Sequence, residues 1–150
     1  MASVESYDFE KLAREITLAR ISEVAASADV AAEIADKVIA SGVLSTRQRQ
    51  EPRVTIAAVC RGVAGGLLLS ERELVIPSIG LLKSMAQLAQ EINLDPADVM
   101  TWAMEGIASV AVMGPPNLEF AVREAIDENF MGAGAIFGDL CRKAREKGAS

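Results

Sequence analysis

The side chains able to do chemistry in this sequence are carboxylates, arginines and two cysteines, because the chain contains no histidine. Without histidine there is no Ser-His-Asp or Cys-His arrangement, and the commonest zinc ligand is missing as well. No glycine-rich loop ends in Gly-Lys-Ser or Gly-Lys-Thr, so the phosphate-binding loop of nucleotide-binding proteins is absent. We therefore expect a protein that is not an enzyme and that uses no cofactor and no metal. Catalysis by Cys60 or by a pair of carboxylates is the remaining alternative.

The arginines near the middle of the chain form the most suggestive polar cluster. Arg47, Arg49 and Arg53 lie just before or at the start of a predicted helix, where they could contact an anion or a protein partner. Alternatively, they pair with acidic side chains of the first and fifth predicted helices. The chain has a net charge of −6 and no aromatic residue among these arginines, so we expect no nucleic-acid binding.

Several predicted helices contain glycine, which costs about 0.5–1 kcal/mol relative to alanine inside a helix. Gly62, Gly66 and Gly106 are therefore expected either at close helix crossings or beside a groove that holds a small apolar or acyl ligand. Arg61 and Glu105 occupy equivalent places in the two helices, and we expect them to form a partly buried ion pair if those helices pack together.

The elements that position these residues are predicted to be helices throughout. Apolar residues recur at steps of three and four, and strand patterns are nearly absent. The predicted helices span residues 7–26, 29–41, 52–69, 73–92, 96–113, 117–131 and 133–147. The residues expected to begin or end them are Ser6, Gly42, Ser70 with Glu73, Asn93, Asp95 and Asn117. Pro77 requires that the fourth of these helices either kinks or starts late.

The architecture expected from this pattern is a single all-α domain, residues 1–150, folded as a compact bundle of about six to seven helices. Residues 43–51 form its only long linker. A shift of 44 residues superposes Gly62 on Gly106 and Glu51-Pro52 on Asp95-Pro96. This suggests two related helical hairpins, residues 51–93 and 95–131, preceded by a pair of N-terminal helices.

Excess apolar helix surface indicates binding to another protein. The fifth predicted helix is apolar around most of its circumference, and we expect Trp102, Met104, Phe137 and Leu140 to lie at an interface. The expected partner is a second copy in a homodimer, or else a larger protein. The sequence shows no apolar run of about 20 residues and no signal peptide, so we expect a cytoplasmic protein with no transmembrane segment.

Overall fold

The computed structural model describes residues 8–46 and 50–149, and this part of the chain is helical with no strand. The eight helices are α1 (Phe9–Ala19), α2 (Ile21–Ala26), α3 (Ala28–Thr46), α4 (Pro52–Leu69), α5 (Val75–Glu91), α6 (Pro96–Ala111), α7 (Pro116–Asn129) and α8 (Ala133–Ala149). The predicted all-α class is confirmed, with one helix more than the sequence suggested.

The additional helix comes from a break inside the first predicted helix. α1 ends at Ala19, and the backbone N–H of the capping residue Arg20 donates to the carbonyls of Ile16 and Thr17. α2 starts at the next residue, Ile21. The Arg20 guanidinium then pairs with Glu23 in the first turn of α2, at 3.0 Å. At the other end of α1, the Asp8 carboxylate accepts from the Lys11 N–H and caps the helix. Ser6, the expected cap, lies outside the described residues.

Gly42 does not end the second predicted helix, because α3 continues through it to Thr46. A Cβ added at Gly42 would lie 3.0 Å from the Phe9 ring and 3.0 Å from Cγ2 of Thr55. Glycine is therefore needed here for close packing against α1 and α4. Residues 43–46 of the expected linker are helical, and residues 47–49 lie outside the described part of the chain.

The helix ends between α4 and α5 differ from the expected capping box. α4 ends in a left-handed turn in which Glu71 has φ +55° and the Arg72 N–H donates to the Leu67 carbonyl. Ser70 does not begin the next helix. Instead the Glu73 carboxylate accepts from the first backbone N–H groups of α5, at 2.8 Å from Val75 N. Pro77 then falls in the first turn, where proline is tolerated.

The predicted ends of the following helices are partly confirmed. The Asp95 carboxylate accepts from the Ala97 N–H at 2.8 Å, as expected of an N-cap. Asn93 adopts φ +59° just after α5 and ends that helix, also as expected. Asn117 is not a cap, because the rigid pair Pro115-Pro116 starts α7 one residue earlier.

The most extensive packing is between helices that do not follow each other along the chain. α4 lies between α1 and α6, α5 packs on α3 and α6, and α8 packs on α6 and α7. α4 and α5 share almost no contacts, and α6 touches α7 only slightly. The two predicted hairpins are therefore pairs of successive helices without hairpin packing. One continuous hydrophobic core receives buried side chains from all eight helices.

α4 is also the one helix in the described residues with the length and composition of a membrane span. It has 18 residues with a mean hydropathy of 1.3, and 61% of it is buried inside the fold. A central core helix meets the same criteria, and α4 is in that position. The absence of a transmembrane segment stays a prediction.

Asp36 on α3 is a half-buried carboxylate among apolar neighbours. Burial raises the pKa of Asp36 to about 6, partly opposed by the hydrogen bond that the Ser84 hydroxyl donates to it at 3.0 Å. Nearby Glu91 raises this pKa further. The folded state therefore favours the protonated form of Asp36. The stability that this protonated carboxyl contributes is fully present below the usual pKa of 3.8 and is lost as the pH rises through about 6.

We predict that Asp36→Asn stabilises the protein at pH 7 and leaves its stability unchanged near pH 3.5. The amide keeps an acceptor for Ser84 but carries no charge to desolvate. The expected gain is about 1 kcal/mol, because solvent screens a half-buried group. Urea unfolding of both proteins between pH 3.5 and 7.5 measures it. A difference that does not change with pH would contradict the predicted ionisation.

Candidate binding groove

The three predicted glycines lie where helices cross. A Cβ on Gly62 would be 2.3 Å from the Glu10 carbonyl oxygen of α1, and one on Gly106 would be 2.3 Å from the Ala57 carbonyl oxygen of α4. Gly66 faces Thr17 of α1, with its added Cβ 3.0 Å from Cγ2. Backbone and side-chain atoms thus fill the space at these glycines, which leaves no room there for a ligand.

The close crossing of α4 over α6 shapes a groove on one side of the fold. α8 packs on α6 and on α7, and it runs beside α4 without packing against it. The gap between α4 and α8, floored by α6, is an open cavity of about 690 Å³. We refer to it below as the α4–α6–α8 groove.

Both apolar and charged side chains line this groove. Its apolar part consists of Val54 and Ala57 on α4 and of Leu140 and Ala144 on α8. Val54 is 48% exposed, although it lies near the middle of the groove's α4 wall. The polar and charged lining residues are Glu51, Arg53, Arg61, Glu105, Ser109, Lys143 and Lys147.

Basic side chains from two separate parts of this acidic chain line the groove. Residues 41–61 carry a net charge of +3, and so do residues 141–150, whereas the whole chain carries −6. Arg53 and Arg61 come from the first segment, and Lys143 and Lys147 from the second. Convergence of like charges on one concave surface favours a negatively charged ligand or partner.

Ion pairs neutralise part of the positive charge. The Arg53 guanidinium donates two hydrogen bonds to the Glu105 carboxylate, at 3.2 Å from Nε and 2.7 Å from Nη2. Arg61 Nε donates to the Glu10 carboxylate on α1 at 2.9 Å. The expected Arg61–Glu105 pair is therefore wrong, because Arg61 reaches the helix on the other side of α4. Arg53 and Arg61 instead pair with acidic side chains of the first and fifth predicted helices, the alternative considered for the arginine cluster.

The remaining predicted contact residues are divided between the groove and the core. Leu140 lines the groove, and Trp102 is half-buried against the core. Met104 is 2% exposed and Phe137 0% exposed, so neither is on a surface that a partner could reach. Their assignment to an interface is wrong, because neighbouring helices of the same chain already cover them. Arg47 and Arg49 lie outside the described residues.

The groove lysines, Lys143 and Lys147, are not among the contact residues that the sequence predicts. Positive charge at the end of the last predicted helix is favoured by the helix dipole, so the pattern there indicates no further role. The signal that could have found them is the equal net charge of the two basic segments. Which elements those segments would meet is a tertiary property that the sequence pattern does not contain.

The two cysteines both lie in the hydrophobic core. Both are buried and free, with no disulfide between them. Burial raises the pKa of the Cys60 thiol to about 12. Burial, with a smaller contribution from nearby Glu119, also raises the pKa of Cys141 to about 12. Both thiols are protonated at neutral pH, and the protonated thiol is not the reactive form.

Comparisons with known proteins do not assign this fold to a family. No family model, no curated protein and no solved structure matches the chain. Within residues 8–46 and 50–149, no three cysteine or carboxylate side chains are grouped so that they could hold a metal ion. The α4–α6–α8 groove is therefore the candidate functional site in the described part of the chain.

We predict that the variant with Arg47, Arg49 and Arg53 replaced by serine keeps its fold. The Arg53 side chain is 59% exposed, and an exposed ion pair such as Arg53–Glu105 contributes about 0–1 kcal/mol to the free energy of unfolding. Circular dichroism and chemical denaturation measure the effect. Loss of helical signal in the triple variant would mean that these side chains are integral to the fold.

Proposed function

We propose that this protein is a non-enzymatic interaction or accessory protein that holds an acidic segment of a protein partner in the α4–α6–α8 groove. The observation that carries the proposal is that basic side chains of α4 and α8 line one groove beside apolar Val54 and Leu140. Apolar contacts provide affinity for one face of a helix, and the cationic rim selects for acidic side chains beside it.

The dimensions of the groove suit a short helix. Its α4 wall runs from Glu51 to Arg61, which corresponds to about 15 Å at 1.5 Å per helical residue. About three turns of a partner helix fit along that length. The groove is open to solvent along its side, so a peptide or helix can enter it from that side. A small apolar or acyl ligand between the glycine-bearing helices has less support, because those crossings are filled.

A binding experiment with two designed peptides tests this function. The first peptide carries leucines at helical positions i, i+3 and i+7 with glutamates on either side, and the second has lysines in place of the glutamates. We expect only the acidic peptide to bind, with an affinity that falls as salt is raised from about 0.05 to 0.5 M. Fluorescence anisotropy of labelled peptides measures both.

Matched variants locate the binding surface. Lys143→Glu with Lys147→Glu reverses two groove charges and is expected to abolish most of the binding. Lys37→Glu with Lys83→Glu makes the same change in net charge on α3 and α5, away from the groove, and is expected to leave binding intact. Equal affinity for both peptides, or equal loss in both variants, would overturn the proposed function. A cytoplasmic location is consistent with this role and stays a prediction.

A further inference from the structure

α7 carries an exposed stripe of apolar and acidic side chains that no other described part of the chain covers. Phe120 is 61% exposed and Met131, just beyond the helix, is 98% exposed. Glu124 and Glu128 lie between them, spaced so that they share a face with Phe120. No residue of α7 lines the α4–α6–α8 groove, so this stripe is a separate surface of the molecule.

We propose that the α7 stripe of one copy docks in the α4–α6–α8 groove of a second copy, and that the contact is reciprocal, giving a two-fold dimer. This inference rests on the proposed function, since it names the acidic segment that the groove holds. Glutamates 124 and 128 would face Lys143 and Lys147, and Phe120 would contact the apolar wall that includes Leu140.

The two surfaces match in length as well as in charge. The helical part of the stripe, from Phe120 to the end of α7 at Asn129, spans about 14 Å, close to the roughly 15 Å of the groove's α4 wall. The stripe supplies acidic residues between two large apolar ones, and the groove supplies basic residues beside apolar ones. Such complementarity selects one partner and one register.

Reciprocity follows from the position of α8. This helix packs against α7, and it also forms one wall of the groove, so the two surfaces border the same element. Ile136, two turns before Lys143 on the same face of α8, is 47% exposed. A two-fold axis near this face would bring both contacts together and cover Ile136. It would also double the area contributed by a single small groove.

Charge reversal on each side, followed by mixing, tests the inference. The groove variant is Lys143→Glu with Lys147→Glu, and the helix variant is Glu124→Lys with Glu128→Lys. Each alone places like charges across both contacts, so we expect its dimer dissociation constant to rise by about tenfold or more. In an equimolar mixture both contacts become complementary again, and the heterodimer should form with near wild-type affinity. Light scattering coupled to size exclusion measures these states.

The outcomes separate this inference from the proposed function. Dimers in the wild type, their loss in each variant and their recovery on mixing support reciprocal docking. Lys37→Glu with Lys83→Glu is the control for net charge and should remain dimeric. A wild-type protein that stays a 15.9 kDa monomer at high micromolar concentration overturns the inference. So does failure of the mixture to dimerise. If a monomeric wild-type protein still binds the acidic peptide, the proposed function stands without the dimer. If it does not bind the peptide, the proposed function and the dimer are both overturned.

Discussion

Replacing Gly62 with alanine should lower the free energy of unfolding by about 2 kcal/mol, a cost typical of overpacked cores. The added methyl would lie 2.3 Å from the Glu10 carbonyl oxygen and 2.9 Å from Cβ of Ala13. Both atoms belong to α1 and cannot move away as a flexible side chain would. The helix itself must shift, which also disturbs the Arg61–Glu10 ion pair at 2.9 Å. Leucine at the same position should cost more.

Gly65 provides the matched control for this substitution, because it lies in the same helix and an added Cβ there meets nothing within 4 Å. Gly65→Ala should leave stability unchanged or raise it by up to about 1 kcal/mol, as the helix propensities of the two residues predict. Chemical denaturation of both variants measures the difference. Equal effects at the two positions would mean that α1 does not cross α4 at Gly62.

Local sequence signals gave the most accurate part of the predicted fold. Asp95 followed by Pro96 starts α6 as expected, because an N-cap and its first turn interact only with each other. The prediction that Gly42 ends the second helix used the same kind of local rule, and it was wrong. Its role depends on Phe9 and Thr55, which are distant in sequence and lie against it only in the folded chain.

The candidate groove could be predicted only in fragments. The arginine cluster pointed to one wall of it, through Arg53, and the interface prediction contained one residue of the other wall, Leu140. The lysines of α8 were not connected with either, because residues 53 and 143 meet through a crossing of three helices. Such a crossing depends on small residues such as Gly106, whose spacing predicts close packing but does not identify the helix that packs there.

The apolar circumference of α6 explains why the expected interface was partly misplaced. A helix that is apolar on all sides is either central in its own chain or covered by another subunit. The structure shows the first case, because α4, α5 and α8 all pack on α6. Met104 is consequently buried without any partner. Exposed apolar side chains occur on several other helices, among them Phe120 on α7 and Ile136 on α8.

Phe137→Ala should destabilise the protein by about 3–5 kcal/mol, the cost of removing a fully buried aromatic ring from a core. The Phe137 side chain is 0% exposed. It belongs to the hydrophobic core that α8 helps to form, so its loss leaves a cavity there. Leu69→Ala is the control, because Leu69 is 69% exposed and lies outside the groove and the α7 stripe. It should change stability by less than about 0.5 kcal/mol.

Protein concentration distinguishes the core position of Phe137 from the interface position that the sequence suggested. A core residue costs the same stability whether the protein is dilute or concentrated, since the cavity forms within one chain. A residue buried only between two copies would cost little in dilute solution and much more once the copies associate. Urea denaturation of wild type and Phe137→Ala at two concentrations far apart separates these cases. A cost that grows with concentration would return Phe137 to an interface and contradict its place in the hydrophobic core.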